Sequence, residues 1–266
     1  MSFWKTPDGC SLFYEAFNLT SARPAIVFLN GSMQTTLYWR AFALKLRKRY
    51  GVLLYDARGQ GNSELGDAHL NLNLHVGDLT GLLDHLEMGH AHFCGLSHGA
   101  YLAYRLALDT PHRADSLLLT SVSAAATARG RLIVRSWRET LAHGGLEALV
   151  WASLPHVFGE RFLRDNLKTM DHIAQSITRR NRENHLKAHF EAMARYRPLA
   201  KVLAPLSLPI LVLSGAEDPL VTAAGAEKIV QVSGGRHIRL PHLGHSLPAE
   251  APESFLRILE RFIEGY

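Results

Sequence analysis

The stretch HFCGLSHGA, residues 92–100, decides how this chain is read. A short apolar run ends at Gly95, and Ser97 then stands between two glycines in Gly95-Leu96-Ser97-His98-Gly99. Two readings fit this pattern. Ser97 is either a nucleophile held on a tight strand-to-helix turn or an ordinary serine capping the start of a helix. The surroundings discriminate. Upstream, LFYEAF (12–17) reads as a strand, and AIVFLN (25–30), VLLYDA (52–57) and HAHFCG (90–95) are short apolar runs. They are separated by YWRAFALKLRKRY (38–50) and HVGDLTGLLDHLEM (75–88), which have helical spacing. Downstream, SHGAYLAYRLALDTP (97–111) reads as a helix and ADSLLLTSV (114–122) as a fourth apolar run. Buried strands alternating with helices indicate βαβ units and a parallel sheet.

The alternation breaks at residue 127. Residues 127–201 read as nearly continuous helix, and strands resume with PILVLSG (209–215) and RHIRLP (236–241). A helix is expected near 222–232 and a final one over PESFLRILERFIEGY (252–266). The expected organisation is therefore an α/β core of residues 1–126 and 202–266 with a helical lid of residues 127–201. That segment holds fourteen Arg or Lys against seven Asp or Glu, a net of +7, while the whole chain carries +5. Such an excess describes a solvated helical surface, or a docking face for an acidic partner, such as an acyl carrier protein, or for an anionic cofactor tail.

Composition excludes several classes. No run approaches the roughly 18 apolar residues of a membrane span. The opening MSFWKTPDGCSLFYEAF lacks the basic-then-apolar order of a signal peptide, so a cytoplasmic location is expected. Cys10 and Cys94 alone suggest neither a disulfide scaffold nor a zinc site. No nucleic-acid recognition motif or dense basic run is present. His185 and His189 share a helix face in HLKAH, but the glutamate of a zinc-protease helix is missing. No metal and no cofactor is expected.

In an open parallel sheet, ligands gather at the carboxyl ends of the strands. The polar residues at those places are Asn30 to Met33, Asp56 and Arg58, Ser97, Glu217 and Asp218, and His242 and His245. A hydroxyl, a carboxylate and an imidazole in the order Ser97, Asp218, His245 are the parts needed for acyl transfer. Serine is a poor nucleophile without a base in reach. Imidazole suits that task near neutral pH, and a carboxylate fixes its tautomer. The developing oxyanion needs preorganised N–H donors, one of which comes from the residue after the nucleophile, His98. Glu217 and His242 are the neighbouring alternatives for acid and base.

Five motifs in order carry a resemblance to the α/β-hydrolase fold superfamily over essentially the whole chain. CGLSHG resembles its nucleophile elbow, LNGSMQ its oxyanion loop, YDARGQGNS its Asp-x-Arg-Gly-x-Gly-x-Ser loop, LSGAEDPLV its acid loop and LPHLGHSLPAEAPESF its histidine loop. The resemblance implies a mostly parallel central sheet with helices on both faces and an inserted helical lid. It implies Ser97 as nucleophile, His245 as base, Asp218 as orienting acid, and the N–H groups of Ser32 and His98 as the oxyanion hole. The expected activity is hydrolysis of a small ester, lactone or acyl thioester through an acyl-enzyme. Transfer to another acceptor and a non-catalytic ligand receptor are the alternatives. The stretch NGSMQTT (30–36) also resembles the loop of hydroxyacyl carrier-protein thioesterases, the related acyltransferases and enol-lactone hydrolases, although the acyl-chain enzymes carry tryptophan where this chain has His98. Met33, Trp137, Trp151 and Phe158 are the candidate substrate contacts. Asp56 and Arg58 are expected to shape a loop, and Cys94 to be buried and inert.

Overall fold

The apolar runs assemble into one eight-stranded sheet in a computed structural model that describes residues 2–20 and 22–265. The strands are β1 (Ser2–Lys5), β2 (Ser11–Phe17), β3 (Ala25–Leu29), β4 (Gly51–Tyr55), β5 (Ala91–Leu96), β6 (Ala114–Thr120), β7 (Ile210–Gly215) and β8 (Arg236–Leu240). Their spatial order is β1-β2-β4-β3-β5-β6-β7-β8. β1 and β2 pair antiparallel at one edge, and every pairing from β4 to β8 is parallel.

The helices are α1 (Thr36–Leu46), α2 (Leu72–His85), α3 (His98–Asp109), α4 (Ala128–Val157), α5 (Glu160–Asn166), α6 (Met170–Arg180), α7 (Glu183–Ala194), α8 (Ala223–Ser233), α9 (Leu247–Glu250) and α10 (Pro252–Ile263). Because successive strand residues face opposite ways, the sheet feeds two cores. Val27, Leu29, Leu53, Tyr55 and Phe93 pack with residues of α2, α3 and α8 on one face. Ile26, Phe28, Val52, Leu54 and Cys94 pack with Trp39 of α1 and Phe255 and Leu259 of α10 on the other. The final helix carries its apolar residues at Phe255, Leu256, Leu259 and Phe262, the spacing that buries one stripe.

Between β6 and β7 the described residues contain helices α4 to α7 and no strand. The nearly continuous helix of the sequence reading is interrupted. Gly145 has φ 77° and ψ −174°, which splits α4 into two helical halves. These helices form small cores of their own, with Trp137, Leu141, Leu149, Leu186 and Phe190 in one and Val150, Leu154, Phe158 and Met170 in another. Two elements went unread in the sequence, β1 and α9. β1 is an edge strand with mostly exposed side chains, so no apolar alternation marks it.

Candidate active site

β5 delivers Ser97 to the carboxyl edge of the sheet, and α3 begins at the next residue. Ser97 has φ 53° and ψ −111°, a conformation that costs a side-chain-bearing residue on the order of 1–3 kcal/mol. The turn survives because its neighbours leave no alternative. The Ser97 N–H donates to the Thr120 carbonyl at 2.8 Å, which fixes the turn to β6. Gly95 and Gly99 are required by close approach. A Cβ on Gly95 would stand 2.5 Å from the Ala100 nitrogen, and one on Gly99 would stand 2.5 Å from the Leu29 carbonyl carbon. The reading of Ser97 as a plain helix cap fails in its geometry: its side chain makes no capping hydrogen bond.

Asp218 and His245 arrive on the loops after β7 and β8. Asp218 Oδ1 accepts from the Leu220 and Val221 N–H groups at 2.8 and 3.0 Å. Its Oδ2 accepts from His245 Nδ1 at 2.7 Å. A carboxylate only accepts, so Nδ1 carries the proton and Nε2 presents its lone pair. The side chain of Asp218 is fully buried and that of His245 is 10% exposed. The His245 backbone is pinned on both sides. Its N–H donates to the Val157 carbonyl at 3.1 Å, and its own carbonyl accepts from Ser121 Oγ at 2.6 Å. The alternatives fall elsewhere. Glu217 accepts from the Glu160 N–H at 2.8 Å, at the first turn of α5. His242 is exposed, 3.8 Å from Glu217.

Ser97 and His245 line one cavity of about 1060 Å³, together with Ser32, Met33, His98, Trp137 and Phe158. The first N–H groups of a helix lack intrahelical partners, so the His98 N–H at the start of α3 is available to a ligand. The loop holding Ser32 is organised by Asp56. That carboxylate accepts from the Thr36 N–H at 2.6 Å, Asn30 Nδ2 at 3.2 Å and the Asn62 N–H at 3.0 Å. Burial outweighs these bonds and raises its pKa to about 6. Arg58 is likewise buried, between Asp78 (2.9 Å) and Asp8 (2.8 Å), in keeping with a role in loop structure.

One expectation needs correction. Trp151 does not line the cavity and is 41% exposed, outside the apolar cores that the neighbouring Val150 and Leu154 help to form. His98 also borders the cavity. It is 4% exposed and packs against the rings of His75 and His189, with Nε2 at 3.3 Å from the Tyr196 hydroxyl. One organising residue went unread altogether. Glu250 accepts from the N–H groups of Gly244 (2.8 Å), Gly159 (2.9 Å) and Ser246 (3.1 Å), tying the His245 loop to the start of α5. Its pKa is raised, mainly by burial. In the sequence it is one helical glutamate among many.

Five arginines also line the cavity: Arg131, Arg135, Arg138, Arg180 and Arg197. Among the described residues its only carboxylate side chain is Glu139, which lies 3.6 Å from His143. Burial, with a smaller effect of neighbouring Arg179, lowers the pKa of Arg180. Five of the fourteen Arg and Lys of residues 127–201, all of them solvent-exposed, therefore border the cavity.

The fold, the strained serine turn and the Asp218–His245 pair define a class. The chain matches the family described as "Alpha/beta hydrolase family" over residues 26–258 and belongs to it. Among curated relatives, it is similar to 3-oxoadipate enol-lactonase 1 of Acinetobacter baylyi, with 28% identity over 91% of this chain and 89% of the relative. It is also similar to 3-oxoadipate enol-lactonase 2 of the same organism, with 25% identity over 98% of this chain and 96% of the relative. Among solved structures, the enol-lactonase from Burkholderia xenovorans superposes with a TM-score of 0.89 over 99% of this chain and 100% of its own, at 24% identity. That last likeness speaks for the fold. No helix among the described residues is long and apolar enough to cross a membrane.

Proposed function

We propose that this chain hydrolyses a small carboxylate-bearing ester or lactone through an acyl-enzyme on Ser97. The observation that carries the reading is the 2.7 Å bond from His245 Nδ1 to Asp218, at the cavity that Ser97 also lines. Ser97 Oγ attacks the carbonyl carbon while His245 Nε2 takes its proton. The N–H groups of Ser32 and His98 hold the oxyanion. The ester C–O bond then breaks, and the departing oxygen receives the proton from His245. Water repeats the sequence in reverse: His245 deprotonates it, its oxygen attacks the acyl carbon, and Ser97 leaves with the proton returned. Asp218 keeps the imidazole in the required tautomer throughout.

The ester or lactone preference is supported by the two enol-lactonases among the relatives. The negative charge of the substrate is supported by the five arginines bordering the cavity, of which Arg180 is partly desolvated, since guanidinium groups make charge-assisted hydrogen bonds to carboxylates. In this reading residues 127–201 act as a lid whose inner face meets the substrate. Docking of an acidic carrier protein is the second reading of that charge. It is less well supported, because the cluster Arg179, Arg180 and Arg182 is divided. Arg180 faces the cavity, whereas Arg182 lines a separate surface cleft with Asp8, Glu64 and Asp67.

A fluorophosphonate probe tests the acyl-enzyme. It should label Ser97 stoichiometrically, and Ser97→Ala should remain unlabelled with turnover of aryl esters and lactones reduced at least about 10³-fold. Labelling of the Ala variant at another serine, or retained turnover, would overturn the assignment.

A further inference from the structure

Behind the serine turn lies a cluster that the proposed hydrolysis does not use. His75 of α2, His98 of α3 and His189 of α7 are all buried, with His75 and His189 fully so. Each offers a ring nitrogen, and these atoms lie within 4.8 Å of one another. Neutral imidazole has one N–H and one lone pair, and both need partners when buried. Neither nitrogen of His75 has one, nor does Nδ1 of His189. Leaving such groups unsatisfied costs on the order of 1–3 kcal/mol each, which is a large expense for ordinary core packing.

The arrangement of the three rings has the form of a coordination site. His189 Nε2 donates to the Arg58 carbonyl at 2.9 Å, which leaves Nδ1 as the lone-pair nitrogen. Orientation of a ligating imidazole by a backbone carbonyl at its other nitrogen is the usual arrangement around bound metals. His98 Nε2 lies 3.3 Å from the Tyr196 hydroxyl, a partner that can accept its proton or donate to it. The ring centroids form a near-equilateral triangle with separations of 5.2, 5.3 and 5.4 Å. Three imidazoles on one tetrahedral ion, with metal–nitrogen bonds of about 2.0–2.1 Å, place their ring centroids about 5.2 Å apart. The candidate ligand atoms, within 4.8 Å of one another, would close to about 3.3 Å around such an ion. Neutral imidazole is the form that binds metal. The adjoining Arg58 guanidinium is paired with two carboxylates, Asp8 and Asp78, leaving the ion group one negative charge in excess.

We infer that His75, His98 and His189 form a three-histidine site for a borderline divalent transition ion such as Zn²⁺, which clamps the inserted helix α7 to α2 and α3. Imidazole donors suit zinc, cobalt, nickel and copper rather than magnesium or calcium. Of the residues around the three rings, His98 and Tyr196 border the cavity. The ion has a structural part, because its ligands join the insertion to the core.

Untagged, chelator-treated full-length protein is titrated with Co²⁺ and then Zn²⁺. One equivalent of Co²⁺ should give the visible spectrum of a four-coordinate ion, and one equivalent of Zn²⁺ should abolish it and raise Tm. X-ray absorption of the zinc-loaded wild type should report three imidazole ligands. His75→Phe keeps a ring of similar shape and should weaken Zn²⁺ binding at least about a hundredfold, with the Tm rise lost; His189→Gln should do the same. Absence of stoichiometric binding to the wild type would overturn the inference. So would a cobalt spectrum that persists in His75→Phe, which would place the ion on surface histidines. If both variants fail to fold, fewer than three imidazoles in the wild-type absorption spectrum would still overturn it.

Discussion

Ser97 is held in a left-handed conformation by groups that do not take part in the proposed chemistry. Its position follows from contacts between Gly95, Gly99 and the ends of β3 and α3, where backbone meets backbone. A methyl group at residue 99 cannot be relieved by a side-chain rotation, because the atoms it meets are the Leu29 carbonyl and the Asn30 carbonyl oxygen. Gly99→Ala is therefore expected to destabilise the fold by about 3 kcal/mol, the upper end of the overpacking range, and to abolish probe labelling of Ser97. Urea denaturation followed by circular dichroism measures the first effect. An unchanged midpoint would mean that the turn is looser than its contacts indicate.

At the scale of elements, α4, α6 and the segment after α7 bring guanidinium groups to a cavity whose other walls are largely apolar. The prediction here concerns selectivity. Arg180→Ala should raise KM about tenfold for a lactone carrying a free carboxylate and leave a neutral aryl ester unaffected, because a charge-assisted hydrogen bond contributes about 1.5–3 kcal/mol. Steady-state kinetics on the two substrates side by side provides the check. Equal losses on both would show that Arg180 supports the shape of α6 rather than the charge of the substrate.

Stability and its pH dependence belong to the whole molecule, and Asp56 is the residue that couples them. It joins the loop after β3, the start of α1 and the turn at Asn62. Its pKa is about 6 in the fold, against 3.8 for an ordinary aspartate. The folded state therefore holds this proton more tightly than the unfolded chain does. The contribution of Asp56 to stability is greatest below about pH 4, is lost as pH rises towards 6, and changes no further above that. A shift of this size corresponds to about 3 kcal/mol. Asp56→Asn lacks the titration, so the stability advantage of wild type over the variant should shrink by up to about 3 kcal/mol between pH 4 and pH 7. Paired urea titrations at the two pH values measure it. An advantage that grows with pH would show that the three hydrogen bonds keep the carboxylate ionised in the fold.

Much of this protein was legible in its sequence, for a local reason. A buried parallel strand needs a short apolar run, a helix on the sheet needs an apolar stripe, and both are written in consecutive residues. The loops after β3, β5, β7 and β8 were readable because their chemistry depends on residue types at fixed offsets from a strand end. Hence Ser97, Asp218 and His245 could be named before any of them was seen in place, and the structure brings Asp218 and His245 into contact. Tertiary structure alone decided the rest. Trp151 and Trp137 look alike in sequence, and only the packing of α4 turns one outward and the other to the cavity. Glu250 is unremarkable until its carboxylate meets N–H groups from residues 159, 244 and 246. The histidine cluster is the extreme case. Residues 75, 98 and 189 come from three separate helices, so no spacing announces them. Their relation exists only once the fold has closed around them and removed the water that would otherwise satisfy their nitrogens.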